Sequence, residues 1–513
     1  MNKNKQMAVN LIAQIIAFMV NFVINFFLSP YIIKHVGREA YGFVSLGNNF
    51  VNYASLVSIA LNSMAGRFIT IKIHQDDFEN ANKYYSSVIM ANIIIAAVLS
   101  VPSFLIVMYI TRIVNIPESI VGDVRVLWGL LFSNFLFGLV TATFGALLFA
   151  ANRIDLQSKL NIKVYIIRII ILFGAFWLFV PHVWYIGLAS MVCAVYAAFV
   201  NLHYAHKFYP QIRFSRHYFD KSKIKELLSS GVWNTVSRVG SIALTELDLL
   251  LSNWFVGAAG MGTLSIAKTV PNYVVSFIST ITSVFMPDMT ITYAKGNREE
   301  LLKSIRGCMR ILLFFNSVIY GILFGFSGVF FKLWLPDGTQ DINYIYMLSL
   351  ITISDCFISA TSHGIFNIFT VTNRLRFSSI VVILTGFVSL PVTYILLKTT
   401  HLGLIAIAGV SLVLVVARNI GIFLPYGAKC IGEPWYRFFP DLLLNIVDVV
   451  VTIAISLLMK KLLMVHESWL NFMLACGVTG IVLVILNYFI ILTKDQRAMI
   501  MDKLKKRINR SDA

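Results

Sequence analysis

Polar side chains recur at helical spacing within the apolar stretch from Leu227 to Val256. They stand at intervals that place them all on one face of an α-helix: Asn234, Arg238, Ser241, Thr245 and Asp248. If this helix crosses a bilayer, a charge at its middle costs about 2.5–3.5 kcal/mol and must face a cavity or a partner. The face is therefore either the wall of a polar cavity, in which Arg238 meets an anionic group, or a packing seam in which a nearby acid such as Glu246 neutralises Arg238.

Other polar residues of apolar stretches are candidates for lining the same cavity. The substrate-binding candidates besides Arg238 and Asn234 are Asn21, Asn25, Asn52, Arg168, Lys268 and Asn272. Arginine presents a planar fork of donors that suits phosphate oxygens, and the amides can hydrogen-bond the polar groups of a ligand. The asparagines would equally serve as hydrogen-bonding links between helices, and the Lys268 ammonium could reach the outer membrane surface.

Two acids are candidates for coupling to an ion gradient. Asp355 lies near the middle of an apolar stretch, and Asp248 lies on the face that carries Arg238. Carboxylates within membrane helices serve in proton relays, so they indicate coupling to a H+ or Na+ gradient. Asp355 could equally form a structural bridge with Arg168 or Arg238. We expect no cofactor and no bound metal, because the scattered cysteines do not have metal-ligand spacing.

The composition defines the environment of these residues. The chain of 513 residues is 58% hydrophobic and 13% charged, whereas soluble proteins are about 45–50% apolar and about 25% charged. Long runs contain no Asp, Glu, Lys or Arg, for example from Tyr84 to Thr111 and from Ser468 to Thr493. About 20 apolar residues cross a bilayer as one helix. The sequence therefore predicts an all-α polytopic membrane protein with fourteen transmembrane helices, and it excludes a soluble enzyme.

The basic residues orient these helices. With the N-terminus in the cytoplasm, the alternating loops place 30 Lys and Arg residues inside and 8 outside, and 4 remain within the spans. Because Lys and Arg accumulate in cytoplasmic loops, both termini are predicted to be cytoplasmic. This orientation accounts for most of the net charge of +18. Nucleic-acid binding is not indicated, since no soluble module accompanies the charges.

The chain also matches itself about 220 residues further on. Val36-Gly37, Gly42 and Ser45 align with Val256-Gly257, Gly262 and Ser265, and Asn52 aligns with Asn272. Both halves start on the same side, which predicts parallel repeats with a substrate site near the midplane between them; a symmetric scaffold without transport is the alternative. The predicted parts are an N-terminal six-helix bundle (1–206), a basic cytoplasmic linker (207–226), a C-terminal six-helix bundle (227–427), two additional transmembrane helices (428–493) and a basic cytoplasmic tail (494–513).

Three short segments resemble a known family. Pro30-Tyr31-Ile32-Ile33 and Val36-Gly37-Arg38-Glu39-Ala40-Tyr41-Gly42 look like the junction of the first two helices in polysaccharide transporters, and Arg67-Phe68-Ile69 fits the same pattern. That family is the oligosaccharide-flippase branch of the multidrug/oligosaccharidyl-lipid/polysaccharide exporter superfamily. The resemblance implies a V-shaped pair of bundles that work by alternating access in the bacterial cell membrane. It also implies that an undecaprenyl-pyrophosphate-linked oligosaccharide is moved from the inner to the outer leaflet.

The same resemblance suggests the partners. We expect a lipid-linked oligosaccharide and membrane lipids as ligands, a polymerase and glycosyltransferases of the same pathway as protein partners, and function as a monomer. A cation-coupled multidrug or metabolite exporter has the same fold, but carboxylates and aromatic rings should dominate its cavity. A membrane-embedded glycosyltransferase would need clustered acids or histidines near a membrane face. The chain has neither that cluster nor the GxxxxGK[ST] loop of ATP-hydrolysing proteins, so we expect no catalytic residues.

Overall fold

The computed structural model describes residues 3–151, 153–294, 296–336, 341–358, 360–372, 374–464, 466–492 and 497, and every regular element within them is helical. The α-helices are α1 (Lys3–His74), α2 (Phe78–Met108), α3 (Ile110–Ile113), α4 (Val121–Thr141), α5 (Phe144–Ala150), α6 (Ile154–Leu178), α7 (Tyr185–Phe208), α8 (Lys221–Thr245), α9 (Asp248–Phe255), α10 (Ala258–Ala294), α11 (Arg298–Trp334), α12 (Ile342–Ile358), α13 (Ala360–Val371), α14 (Leu375–Thr399), α15 (Leu404–Arg418), α16 (Leu424–Cys430), α17 (Phe439–Leu463) and α18 (Trp469–Ile490). The predicted basic tail, 494–513, lies outside the described residues apart from Arg497.

Ten helices in the described part of the chain are long and apolar enough to cross a membrane. They confirm the prediction of an all-helical, multi-pass membrane protein. The predicted seventh span, now divided between α8 and α9, is not among the ten, because α8 combines a basic first turn with the polar face around Arg238. The number of fourteen crossings and the cytoplasmic position of both termini stay predictions.

Contacts divide the chain into two units. One comprises Met1–Ile266 with Val382–Leu390, and the other comprises Ala267–Val381 with Pro391–Ala513. The first unit therefore includes α8 and α9, which follow the predicted boundary between the six-helix bundles. A division by contacts does not test a sequence repeat, so the bundles at 1–206 and 227–427 stay predictions.

The segment between α7 and α8 is attached to α2. The Asn82 side chain donates a hydrogen bond to the carbonyl of Gln211 (3.0 Å) and accepts one from the amide of Arg213 (2.8 Å). Asp220 then caps α8 by accepting hydrogen bonds from the hydroxyl (2.6 Å) and the amide (2.8 Å) of Ser222, which hold the pKa of Asp220 below its usual range. The start of α8 is thereby fixed, although this linker has a basic and polar sequence.

Two glycines that align in the repeat interrupt helices in the same way. Gly37 lies inside α1 with a φ of 87°, and Gly257 separates α9 from α10 with a φ of 96°. Glycine adopts this left-handed backbone at no steric cost, whereas residues with a Cβ rarely adopt it. Each glycine therefore ends one straight helical segment and starts another at an equivalent place in the two halves of the sequence.

Residues that align in the repeat also contact each other. A Cβ placed on Gly42 would lie 2.9 Å from the Cα of Gly262, so the second part of α1 and the start of α10 touch through their backbones. One turn further on, the Ser265 hydroxyl donates a hydrogen bond to the Ser45 hydroxyl at 2.6 Å, across 220 residues of sequence. Equivalent positions thus form a polar contact inside the first unit.

Candidate functional site

Arg238 on α8 forms an ion pair with Glu246, which directly follows the last residue of that helix. The distance from Arg238 Nη2 to Glu246 Oε1 is 2.6 Å. The Arg238 side chain is 35% exposed and that of Glu246 is 16% exposed. The neutralising partner that the sequence offered as an alternative is therefore present. The Arg238 side chain keeps part of its surface accessible beside this partner.

The helix that carries Arg238 ends before Asp248. The Glu246 carbonyl accepts hydrogen bonds from the Asn49 side chain and the Tyr53 hydroxyl, both on α1 and both at 2.7 Å. These bonds satisfy a carbonyl that a continuous helix would use for the amide four residues further on. The prediction that one helix presents all five polar residues was wrong at this point, because α8 ends at Thr245 and α9 begins at Asp248.

The turn between α8 and α9 nevertheless keeps Asp248 close to the ion pair. The Tyr53 hydroxyl lies within the electrostatic influence of both Asp248 and Glu246. Asp248 also accepts a hydrogen bond from the amide of Leu249 at 2.7 Å. Tyr53 thus lies close to two carboxylates, and one of them, Glu246, is paired with Arg238.

Three predicted asparagines of the first unit take part in hydrogen bonds with other residues of the protein. Asn234 donates to the Ser63 hydroxyl at 3.3 Å and so links α8 to α1. Asn25 donates to the Asn21 carbonyl at 2.9 Å and to its side-chain oxygen at 2.5 Å, within α1. These bonds correspond to the alternative of hydrogen-bonding links, between helices for Asn234 and within one helix for Asn21 and Asn25.

The remaining predicted residues of the first unit, Arg168 and Asn52, are half-buried. Arg168 on α6 acts electrostatically on Tyr165 of the same helix and on Cys193 of α7. Asn52 lies on α1, three residues after Asn49. The structure therefore brings Arg238 and Asp248 together, whereas Arg168 has a separate environment among apolar helices.

The second unit has its own group of titratable residues. Asp355 on α12 is half-buried, and the positive charges that act on it are those of Arg418 on α15 and Lys268 on α10. Arg418 also acts on His363 of α13. Asn272, one turn after Lys268, is exposed on α10. Asp355 and Lys268, predicted separately as an ion-coupling and a substrate-binding residue, therefore belong to one electrostatic group.

A π-helical turn, Asn419–Phe423, shapes this group. The Arg418 guanidinium lies over the Phe423 ring at 5.2 Å, and its Nε donates to the Asn419 side chain at 3.1 Å. Phe423 packs edge-on against Phe366, which packs against His363. Such turns are often found at functional sites, because they displace side chains from regular helical positions.

Comparisons with known proteins identify the family. The family model for "Polysaccharide biosynthesis protein" matches residues 4–292, more than half of the chain. The chain belongs to this polysaccharide biosynthesis protein family. The family resemblance predicted from the sequence is therefore confirmed.

A curated relative and two solved structures extend this assignment. The uncharacterized membrane protein EpsK of Bacillus subtilis (strain 168) is 28% identical to this polysaccharide biosynthesis protein over 505 residues, which is 98% of each chain. A multidrug resistance MATE family transporter of the MOP superfamily, in an inward-facing conformation, has a TM-score of 0.66 at 16% identity, over 82% of this chain and 98% of that one. A MOP superfamily transporter from Pyrococcus furiosus, with a binding pocket of reverse polarity, has a TM-score of 0.61 at 15% identity, over 83% and 95%. The fold of this family member is therefore that of MATE transporters.

Sequence reasoning missed several neighbours of the predicted residues. Tyr53 and Asn49 stand four residues apart on one face of α1, a spacing that was visible but not assigned a role. Arg418 was visible as a charged residue within a span, but the π-helical turn that places it beside Phe423 leaves no signal in hydropathy.

Proposed function

We propose that the protein is a flippase that moves an undecaprenyl-pyrophosphate-linked oligosaccharide from the inner to the outer leaflet, for cell-surface polysaccharide biosynthesis. The match of residues 4–292 to the polysaccharide biosynthesis family is the observation that carries the proposal. The MATE-like fold supports a transport role for that family member, because the solved structures that it resembles are transporters. An alternating-access protein exposes one central site to each side of the membrane in turn.

The membrane arrangement is part of the same proposal. Fourteen crossings form two parallel six-helix repeats and two additional helices, and both termini are cytoplasmic. The paired glycines Gly37 and Gly257 and the Ser45–Ser265 hydrogen bond support the repeat, since aligned residues have the same backbone or touch each other. The protein lies in the bacterial cell membrane, functions as a monomer and cooperates with glycosyltransferases and a polymerase of its pathway.

Arg238, Arg168 and Lys268 contact the pyrophosphate in this proposal. The partly exposed guanidinium of Arg238 supports the role, because arginine binds phosphate oxygens through two parallel hydrogen bonds. Polar side chains of both repeats meet the sugar: Asn21, Asn25, Asn52, Asn234 and Asn272. Asp248 and Asp355 would be the residues for any coupling to a H+ or Na+ gradient.

A cation-coupled multidrug or metabolite exporter is the second candidate. One observation favours it: two carboxylates, Glu246 and Asp248, act electrostatically on the Tyr53 hydroxyl. The reverse polarity of the pocket in the Pyrococcus furiosus transporter indicates that this fold accommodates pockets of different charge. The charge of the ligand therefore distinguishes the two candidates better than the fold does.

A reconstitution experiment tests the two candidates together. Purified protein is inserted into vesicles that contain a fluorescent undecaprenyl-pyrophosphate disaccharide, and a membrane-impermeant quencher reports the lipid that reaches the outer leaflet. The quencher cannot reach the labelled lipid of the inner leaflet. We expect the fluorescence of that lipid to be quenched faster than in protein-free vesicles. Vesicles that transport a cationic dye along a Na+ or H+ gradient but do not accelerate lipid exchange would contradict the flippase and support the exporter.

Cross-linking tests the contact between the repeats. Ser45→Cys with Ser265→Cys places two thiols where the hydroxyls are 2.6 Å apart, so we expect rapid formation of an internal disulfide on mild oxidation. The measurement is a mobility shift after cleavage at a protease site inserted between α7 and α8. Ser45→Cys with Ser63→Cys is the control, because both positions lie on α1 about five turns apart and cannot be joined.

A further inference from the structure

A row of polar side chains runs along one face of α17, within the second unit. Asn445, Asp448, Thr452 and Ser456 follow at helical spacing, and all four have no exposed surface. α17 is otherwise one of the most apolar helices of the chain and qualifies as a membrane span. A fully buried carboxylate in such a helix needs an explanation, because the charged form is costly away from water.

α11 and α18 pack against this row. Gly321 and Gly325 on α11 allow close approach, since a Cβ on Gly321 would lie 3.0 Å from the Ser456 hydroxyl and 3.3 Å from the Thr452 Cβ. Small residues at this spacing allow membrane helices to touch through their backbones. The polar row is therefore enclosed on the side of α11, and water is excluded from it.

Ser317 connects the three helices at the level of Asp448. The Asn487 amide of α18 donates a hydrogen bond to the Ser317 hydroxyl of α11 at 2.6 Å. The Ser317 hydroxyl lies next to the Asp448 carboxylate, and it also donates to the Phe314 carbonyl at 3.3 Å. Its single hydrogen thus has a second acceptor and cannot by itself satisfy the carboxylate.

The Asp448 carboxylate lacks a well-oriented hydrogen-bond donor in the described part of the chain. Neither of its carboxyl oxygens has a hydrogen bond of acceptable geometry, and the Asn487 side-chain oxygen beside the same serine has none either. Two turns earlier on the same face, Asp441 is held by Arg306 at 3.4 Å and Arg310 at 3.9 Å. The contrast between the two acids shows that the charge of Asp448 is not balanced in the way that α17 balances Asp441.

We propose that a Na+ ion binds between α11, α17 and α18, with the Asp448 carboxylate as the charged ligand and the oxygens of Asn487 and Ser317 as neutral ligands. An oxygen-only set suits a hard cation, and one carboxylate balances one positive charge, which selects a monovalent over a divalent ion. A protonated Asp448 carboxyl could donate one hydrogen bond, whereas a bound cation would interact with several of the surrounding oxygens at once. The ion fastens the two additional helices to α11, and the site is separate from the coupling candidates Asp248 and Asp355.

Thermal unfolding of the purified protein tests the site without any transport assay. Melting is followed in detergent with NaCl, KCl or N-methylglucamine chloride at equal ionic strength. We expect the melting temperature to rise by about 3 °C or more with NaCl in a saturable manner, because an ion that binds only the folded state stabilises it. KCl should give a smaller rise and N-methylglucamine none.

Three variants make the result specific. Asp448→Asn should abolish the Na+-dependent rise while the protein without Na+ remains at least as stable, since a buried charge has been removed. Ser317→Ala should keep the rise but shift it to higher Na+ concentration. Asp441→Asn, on the same face, should keep the wild-type response. A wild-type melting temperature that is equal in the three salts, or an unchanged Na+ response in Asp448→Asn, would overturn the proposal.

Discussion

Replacement of Arg238 by Gln is expected to lower the export of surface polysaccharide about tenfold or more, and replacement of Glu246 by Gln in the same chain is expected not to restore it. Hydrogen bonds to charged groups contribute about 1.5–3 kcal/mol, which corresponds to about 10–100-fold in binding. If Arg238 binds pyrophosphate, the loss remains when its carboxylate partner is also neutralised. If Arg238 serves only to balance Glu246, the double variant has no unpaired charge and exports normally.

The comparison needs equal amounts of folded protein. Export is measured as surface polysaccharide per cell, normalised to membrane protein that elutes as a single species. Arg153→Gln is the matched control, since Arg153 is also an arginine paired with an acid, at 2.9 Å from Asp155, but at the start of α6. Glu246→Gln alone should keep most of the export, and Arg168→Gln should resemble Arg238→Gln. Normal export in the double Arg238 and Glu246 variant would rule out the binding role of Arg238.

Replacement of Gly240 by Val is expected to prevent correct packing of α8. A Cβ on Gly240 would lie 2.6 Å from the backbone nitrogen and Cα of Ile383 on α14, so the two helices touch without room for a side chain. Overpacking of a tight interface costs about 1–3 kcal/mol, and more where the backbone must move. The backbone must move here, because the atoms nearest to a Cβ on Gly240 are backbone atoms and not the end of a flexible side chain. We expect loss of about 3 kcal/mol of stability and a large drop in folded protein.

Fluorescence-detected size exclusion and thermal melting of membrane extracts measure this effect. Gly231→Val should behave similarly, since a Cβ there would overlap the Ala60 backbone of α1. Gly174→Val is the control, because nothing lies within 4 Å of a Cβ at that position on α6. A yield of Gly240→Val equal to that of Gly174→Val would contradict the close packing of α8 and α14.

The helices could be predicted from sequence wherever hydropathy alone determines them. The charge-free run from Tyr84 to Thr111 became α2 and the short helix after it, because its apolar residues favour a membrane helix even though Pro102 lies within it. The predicted span at 227–256 was wrong as a single helix. The break after Thr245 depends on Asn49 and Tyr53, which are nearly 200 residues away in sequence and capture the Glu246 carbonyl. Local periodicity contains no information about such a partner.

The candidate site was predictable to the same limited extent. The Arg238–Glu246 pair was named from sequence as an alternative, but the two residues are eight apart, more than two helical turns, so the pair depends on the end of α8 at Thr245. Asp448 stands toward the inner half of its predicted span, and nothing else in the sequence marks it as part of a site. The sequence does not show that Ser317, Asn487 and two glycines of α11 enclose it. Position along a helix sets depth in the membrane, but burial depends on which helices pack around it.

The contact of Gly42 with Gly262, and of Ser45 with Ser265, has a consequence for the origin of the chain. In a pair of identical six-helix chains, a residue on the two-fold axis touches its own copy. In a single chain the two positions can change independently. The contact is already unequal, since a Cβ on Gly42 would meet the Gly262 Cα at 2.9 Å, whereas a Cβ on Gly262 would meet the Arg38 carbonyl oxygen at 2.6 Å. A repeat within one chain thus allows the two sides of one contact to diverge, which a dimer of identical chains does not.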